Sequence, residues 1–188
     1  MLREGTAELR VDREVAVIGF RAKTGRAIAV VLSGDARKPQ FVWRGEVGLI
    51  DPKLPLTEGP YHPFMEMPWS EAQIAVQPVV AAIEKYASVV LRRLADEMHI
   101  RAVGVVGSPP RNIEKIGNQH IRAHAAEGIL FRRVLELAAK KNKLACTGYS
   151  DRDLRVPAMM KEIGRAAGPP WRTDERLAAT AAWLALSR

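Results

Sequence analysis

His120, His124 and Glu127 stand at i, i+4 and i+7 within Asn118-Gln119-His120-Ile121-Arg122-Ala123-His124-Ala125-Ala126-Glu127, the densest polar constellation in the chain. On a helix that spacing stacks the three side chains along one face. Two imidazoles one turn apart can share a metal ion, and a carboxylate one turn further can complete its shell or act as a base. The spelling is not that of the zincins, because no glutamate directly follows the first histidine. An apolar stripe of Ala123, Ala126, Leu130, Val134 and Leu137 runs beside the trio. That stripe is expected to face a sheet, which leaves the polar trio at its border, where a cleft wall would stand. The structural alternative is a half-buried helix edge whose histidines bond to Glu127 and to backbone.

Other segments carry weaker chemistry. Gly107-Ser108-Pro109-Pro110-Arg111-Asn112 follows an apolar run and could line a cleft, since ligands in such sheets gather at the carboxyl ends of strands. It lacks the Walker and dinucleotide spellings, and its prolines offer no amide hydrogen to an anion. Ser108 also lacks the flanks of a nucleophile elbow. Arg21, Lys23 and Arg26 put three cations on one predicted hairpin, whereas Lys140, Lys141 and Lys143 suit the end of a helix through its dipole. Residues 51–69 form a Pro-rich loop with Tyr61, His62, Phe64, Met65, Met67 and Trp69. So many large apolar groups must pack on the core, cover a cleft or meet a partner chain, a homodimer among the candidates. The four tryptophans, Trp43, Trp69, Trp171 and Trp183, are too scattered for a stacking platform and read as core filling.

Composition bounds these options. The 188 residues are 47% hydrophobic and 27% charged, which suits one domain with one real core. Lys and Arg outnumber Asp and Glu by 29 to 21, giving a net charge of +8. That surplus favours polyanionic partners, nucleic acid or nucleotide, as readily as it favours solubility. No apolar run is long enough to span a membrane, and Met1-Leu2-Arg3-Glu4-Gly5 does not resemble a secretory leader. The single cysteine, Cys146, excludes an intramolecular disulfide and suits a reducing, cytoplasmic setting.

Two kinds of periodicity divide the chain. Residues 15–20, 27–32 and 40–47 read as buried strands joined by short glycine-bearing connections, which makes them antiparallel neighbours. After the Pro-rich loop, Ser70-x-x-Gln73 spells a capping box for a helix reaching about Met98, with Pro78 expected to kink it or mark its true start. Residues 100–107 read as a strand, 118–141 as a helix and 144–147 as a fifth strand. A short helix over 157–167 and a last one from Thr173, its expected N-cap, to Leu186 complete the order. Three antiparallel strands followed by alternating helices and strands give an α/β mixed sheet of five strands with helices on both faces.

This order, from about Val15 to Leu186, resembles the ribonuclease H-like fold, nearest to the RuvC-type resolvases. Gly19-Phe20-Arg21-Ala22-Lys23-Thr24-Gly25 sits where that superfamily leaves its first strand, and Asp174-Glu175-Arg176-Leu177-Ala178-Ala179 resembles the start of its last helix. The resemblance implies two divalent metals held by carboxylates from the first strand, the fourth strand and the last helix. Matched residue by residue, the set is incomplete. The first-strand acid falls on Phe20 or Arg21 and the fourth-strand acid on Val106, Gly107 or Ser108, which leaves only Asp174 and Glu175. Acids in a helix's first turn are also expected from the dipole alone. The resemblance therefore implies a degenerate site. Mg²⁺ enters only if the remaining carboxylates still hold it, and no metal ligand is assigned.

Three functions are open on these grounds. The first binds nucleic acid or nucleotide through Arg21, Lys23, Arg26, Arg111 and the cleft, without two-metal nuclease activity. The second is a nuclease or other hydrolase of altered chemistry using His120, His124 and Glu127, with Asp174 or Glu175 assisting in the same cleft. The third is a structural or assembly subunit.

Overall fold

The computed structural model describes residues 15–54 and 59–188. The reading of the first five residues, and the Pro55 portion of the Pro-rich loop, lie outside those residues. Three strands open the fold: β1 (Ala16–Lys23), β2 (Arg26–Asp35) and β3 (Lys38–Gly48). They form the expected antiparallel meander, with Val17 opposite Leu32 and Val31 opposite Trp43. The first turn needs its glycine, because Gly25 has φ of 74° and an L side chain is strained there.

A 3₁₀ turn, His62–Phe64, interrupts the Pro-rich loop, and α1 (Trp69–Ala75) and α2 (Gln77–Met98) follow. The helix begins one residue before the expected capping box. Pro68 occupies the N-cap and no side chain caps it, so Ser70 already lies inside α1. Pro78 falls in the first turn of α2, where its missing amide hydrogen costs nothing, and the axis bends by 49° between the two helices. No single helix among the described residues is long and apolar enough to cross a membrane.

The second half alternates as expected: β4 (Ile100–Gly107), α3 (Gln119–Lys141), β5 (Ala145–Ser150), α4 (Met160–Ala167) and α5 (Thr173–Leu186). The sheet order is β3-β2-β1-β4-β5, with β1, β4 and β5 mutually parallel. Asn118 caps α3 by accepting the Ile121 amide at 2.9 Å. At α5 the N-cap is Arg172 rather than Thr173. Its amide is accepted by the Glu175 carboxylate at 2.8 Å, so the acid three positions into the turn sets the boundary.

Alternation along the strands gives the sheet two cores. Ile18, Phe20, Ala22, Val103 and Val105 pack with Leu130, Phe131 and Val134 of α3 and with Ile83 and Leu91 of α2. Val17, Val30 and Ala102 turn the other way, onto Ala178, Ala179 and Ala182 of α5 and Ile163 of α4. The approach of α5 is close. A β-carbon on Gly19 would lie 1.9 Å from the Ala178 carbonyl oxygen, and one on Gly104 would lie 2.4 Å from that of Ala181. Trp43, Trp171 and Trp183 pack against these cores, and the indoles of Trp171 and Trp183 donate to the Met160 and Ala36 carbonyls.

Candidate functional site

Because β1, β4 and β5 are parallel, their carboxyl ends share one edge of the sheet, and the start of α5 meets them there. Arg21 and Lys23 belong to the β1 positions that, like Val17 and Gly19, face α5. Lys23 Nζ lies 3.0 Å from Asp174 Oδ2, and Arg21 Nε lies 3.5 Å from Asp174 Oδ1. Arg21 also donates to Asp151, just beyond β5, at 2.9 Å. Two cations and two carboxylates therefore close a compact four-residue network. Phe20 faces the opposite core and is fully buried, and Val106 and Gly107 at the end of β4, with Ser108 just beyond it, add no acid.

Glu175 caps α5 and takes no part in the network. Arg26 pairs across the meander with Glu46 at 3.1 Å. Arg111 is exposed and lines a cavity of about 180 Å³ with Tyr61, Trp69, Ile113 and Arg133. There the Tyr61 and Trp69 rings stack at 5.4 Å, and the Arg122 guanidinium lies 5.8 Å from the Trp69 ring centroid. Burial raises the Tyr61 phenol above its ordinary 10.0; Arg133 opposes that shift and Glu127 adds to it. Most of the loop's large groups thus pack inward: Tyr61 and Phe64 rest on the α2/α3 core, while Met67 stays exposed.

The histidine-bearing stretch forms a second constellation on α3. His120 and His124 are adjacent, with Nε2 atoms 3.0 Å apart. Glu127 does not stand at a cleft border as its spacing suggested. Its side chain is 0% exposed, because the apolar stripe of α3 is wider than expected and also takes in Ala125, Phe131 and Leu135. Glu127 Oε1 accepts the Tyr61 amide at 3.1 Å and lies 2.8 Å from His62 Nδ1. His62 thereby joins the pair, and its ring meets those of His120 and His124 edge-on, with centroids 5.2 and 4.6 Å away. Residue spacing had no means of finding His62, which arrives from the Pro-rich loop.

The sequence placed Arg21, His120 and Asp174 in one cleft, and the structure divides them. Arg21 and Asp174 converge on the α5 face of the sheet. His120, His124 and Glu127 belong to α3, which packs on the other face, and no recorded contact joins the two groups among the described residues.

No protein-family model and no curated protein matches the chain. Among solved structures, RuvC of T. thermophilus in complex with a Holliday junction substrate is similar, with 12% identity, 90% of each chain covered and a TM-score of 0.52. A second Thermus thermophilus RuvC structure matches at 15% identity over 90% of this chain and 92% of that one, with a TM-score of 0.47. With its meander, its parallel β1-β4-β5 edge and its closely seated last helix, the chain has the ribonuclease H-like fold in the form seen in RuvC.

Proposed function

We propose that the chain is a nucleic-acid-binding ribonuclease H-like domain whose carboxylate site has been replaced by fixed cations, and that it holds its ligand without two-metal hydrolysis. The observation that carries this reading is the pairing of Arg21 and Lys23 with Asp174 where the ends of β1, β4 and β5 meet the start of α5. A divalent pair needs several oxygen ligands free of competing cations. Here Asp174 is already neutralised by a guanidinium and an ammonium, and Asp151 by the same guanidinium. The residues present do not fit Mg²⁺.

Positive charge continues around this edge. Arg111, Arg152, Arg155, Arg172 and Arg176 are exposed in the connections leaving β4 and β5 and in the first turn of α5, against the exposed acids Glu114 and Asp153. Contacts of that kind go to phosphates and position a nucleic acid without reading its sequence. The similar RuvC is bound to a branched DNA, which makes a four-way junction the first ligand to try.

The test is fluorescence anisotropy of labelled four-way junction, duplex DNA and RNA across a salt series. The expected result is binding at low salt whose logarithm falls linearly with the logarithm of salt concentration. The double variant Arg152→Ala/Arg155→Ala, which removes two exposed cations at this edge, should flatten the slope by about one to two phosphate contacts. Absence of binding to all three ligands at low salt overturns the reading. Cleavage with Mg²⁺ that is abolished by Asp174→Asn overturns the non-hydrolytic part.

A further inference from the structure

We propose that His62, His120 and His124 form a centre for one divalent transition-metal ion of the zinc class, positioned by Glu127. One ring nitrogen from each histidine lies within 4.8 Å of the other two. The Nε2 atoms of His120 and His124 are 3.0 Å apart, close to the edge of a tetrahedron whose metal–nitrogen bonds are about 2.0–2.1 Å. The three rings meet at interplanar angles of 82°, 70° and 88°, turned edge-on to one another rather than stacked.

Glu127 supplies a second and independent observation. Its carboxylate is fully buried on α3, and its Oε2 is a buried atom with no hydrogen-bond partner among the described residues. Burying such an oxygen next to neutral groups alone is costly. Its Oε1 meets His62 Nδ1 at 2.8 Å, and its Oε2 lies 3.9 Å from His124 Nδ1. A carboxylate facing both Nδ1 atoms favours hydrogens there and leaves the Nε2 lone pairs to a metal, as outer carboxylates do behind ligating histidines. The cation in turn compensates the buried charge.

The backbone holds this arrangement in place. Tyr61 donates its amide to Glu127, and Gly59, with φ of 74°, passes so close that a β-carbon there would lie 3.2 Å from His62 Nδ1. Three nitrogen ligands suit zinc, cobalt or nickel rather than magnesium or calcium. Since His120 and His124 are exposed, a fourth position would open to water. The centre lies across the sheet from Arg21 and Lys23, so it stands or falls separately from nucleic-acid binding.

The test uses the untagged 188-residue chain, stripped of metal and titrated with Zn²⁺ against a chromogenic chelator, with Co²⁺ absorption as a spectroscopic check. One ion per chain is expected, with a rise in melting temperature on zinc addition. His120→Ala and His124→Ala change exposed side chains and should keep the fold by circular dichroism while losing affinity about a hundredfold. Glu127→Gln should lose about ten- to a hundredfold. Absence of stoichiometric Zn²⁺ uptake, or uptake unchanged in His120→Ala and His124→Ala, overturns the proposal and leaves a hydrogen-bonded histidine cluster.

Discussion

Lys23 Nζ sits 3.0 Å from Asp174 Oδ2, linking the last residue of β1 to the second residue of α5. This bridge, shared with Arg21 and Asp151, ties together three elements that converge on one edge of the sheet only after folding. Its four charges cancel, so it fastens the first turn of α5 to a frame that the backbone contacts at Gly19 and Gly104 already set.

Arg21 is the member whose loss should be felt most, because its side chain is 16% exposed and serves both carboxylates. Arg21→Ala is expected to lower unfolding free energy by about 1–3 kcal/mol. Urea melts of Arg21→Ala, Asp174→Asn and the double variant should give a non-zero coupling energy. Additive losses would mean that the pair is idle.

The seating of α5 makes a steric prediction. Gly19→Ala and Gly104→Ala force a β-carbon against α5 backbone atoms at 1.9–2.5 Å, and each should destabilise by about 3 kcal/mol or more. Gly48→Ala, with nothing within 4 Å of its added carbon, is the control and should change stability by about 0.5 kcal/mol or less. Thermal or urea denaturation of the three variants checks the contrast.

Cys146 gives a pH prediction. Burial pushes its thiol up to about 11 from an ordinary 9.0, with Glu136 adding and Arg132 opposing. The folded state therefore favours the neutral thiol. That contribution to stability is full below about pH 9 and is lost as pH rises through 11. Cys146→Ala should flatten the alkaline fall in melting temperature relative to wild type. Identical alkaline profiles would remove Cys146 as a cause.

Asn118 gives a local one. Its side chain accepts the Ile121 amide at 2.9 Å, and Asn118→Ala should cost about 1 kcal/mol in urea unfolding. The same change shifts the first turn that carries His120, so zinc uptake should weaken with it.

The meander and the alternating second half were legible because short glycine turns and apolar runs each act over a few residues. The helix starts were less so. Pro68 and Glu175 set them through a fixed backbone angle and a backward hydrogen bond, which compete with the side-chain caps that Ser70 and Thr173 suggested. The site was only half legible. Helical spacing placed His120 beside His124, but it misjudged Glu127, because the buried face of α3 is wider than its apolar stripe and Tyr61 and His62 of the loop meet the carboxylate there. The link from Asp174 to Lys23, and the arrival of His62, join residues 151 and 65 positions away from their partners. No local pattern encodes such distances. Alternation along β1 does separate the two constellations, because Arg21 and Phe20 are neighbours that point to opposite faces.

The glycines beneath α5 give the sheet a fixed mounting for whatever stands at that edge. With Gly19 and Gly104 bringing backbone against backbone, the distance from β1 to residue 174 is set by the main chain. Side-chain identity at 21, 23, 151 and 174 can then change without moving the frame. A lineage could exchange acids for bases there, or exchange them back, by point substitution alone.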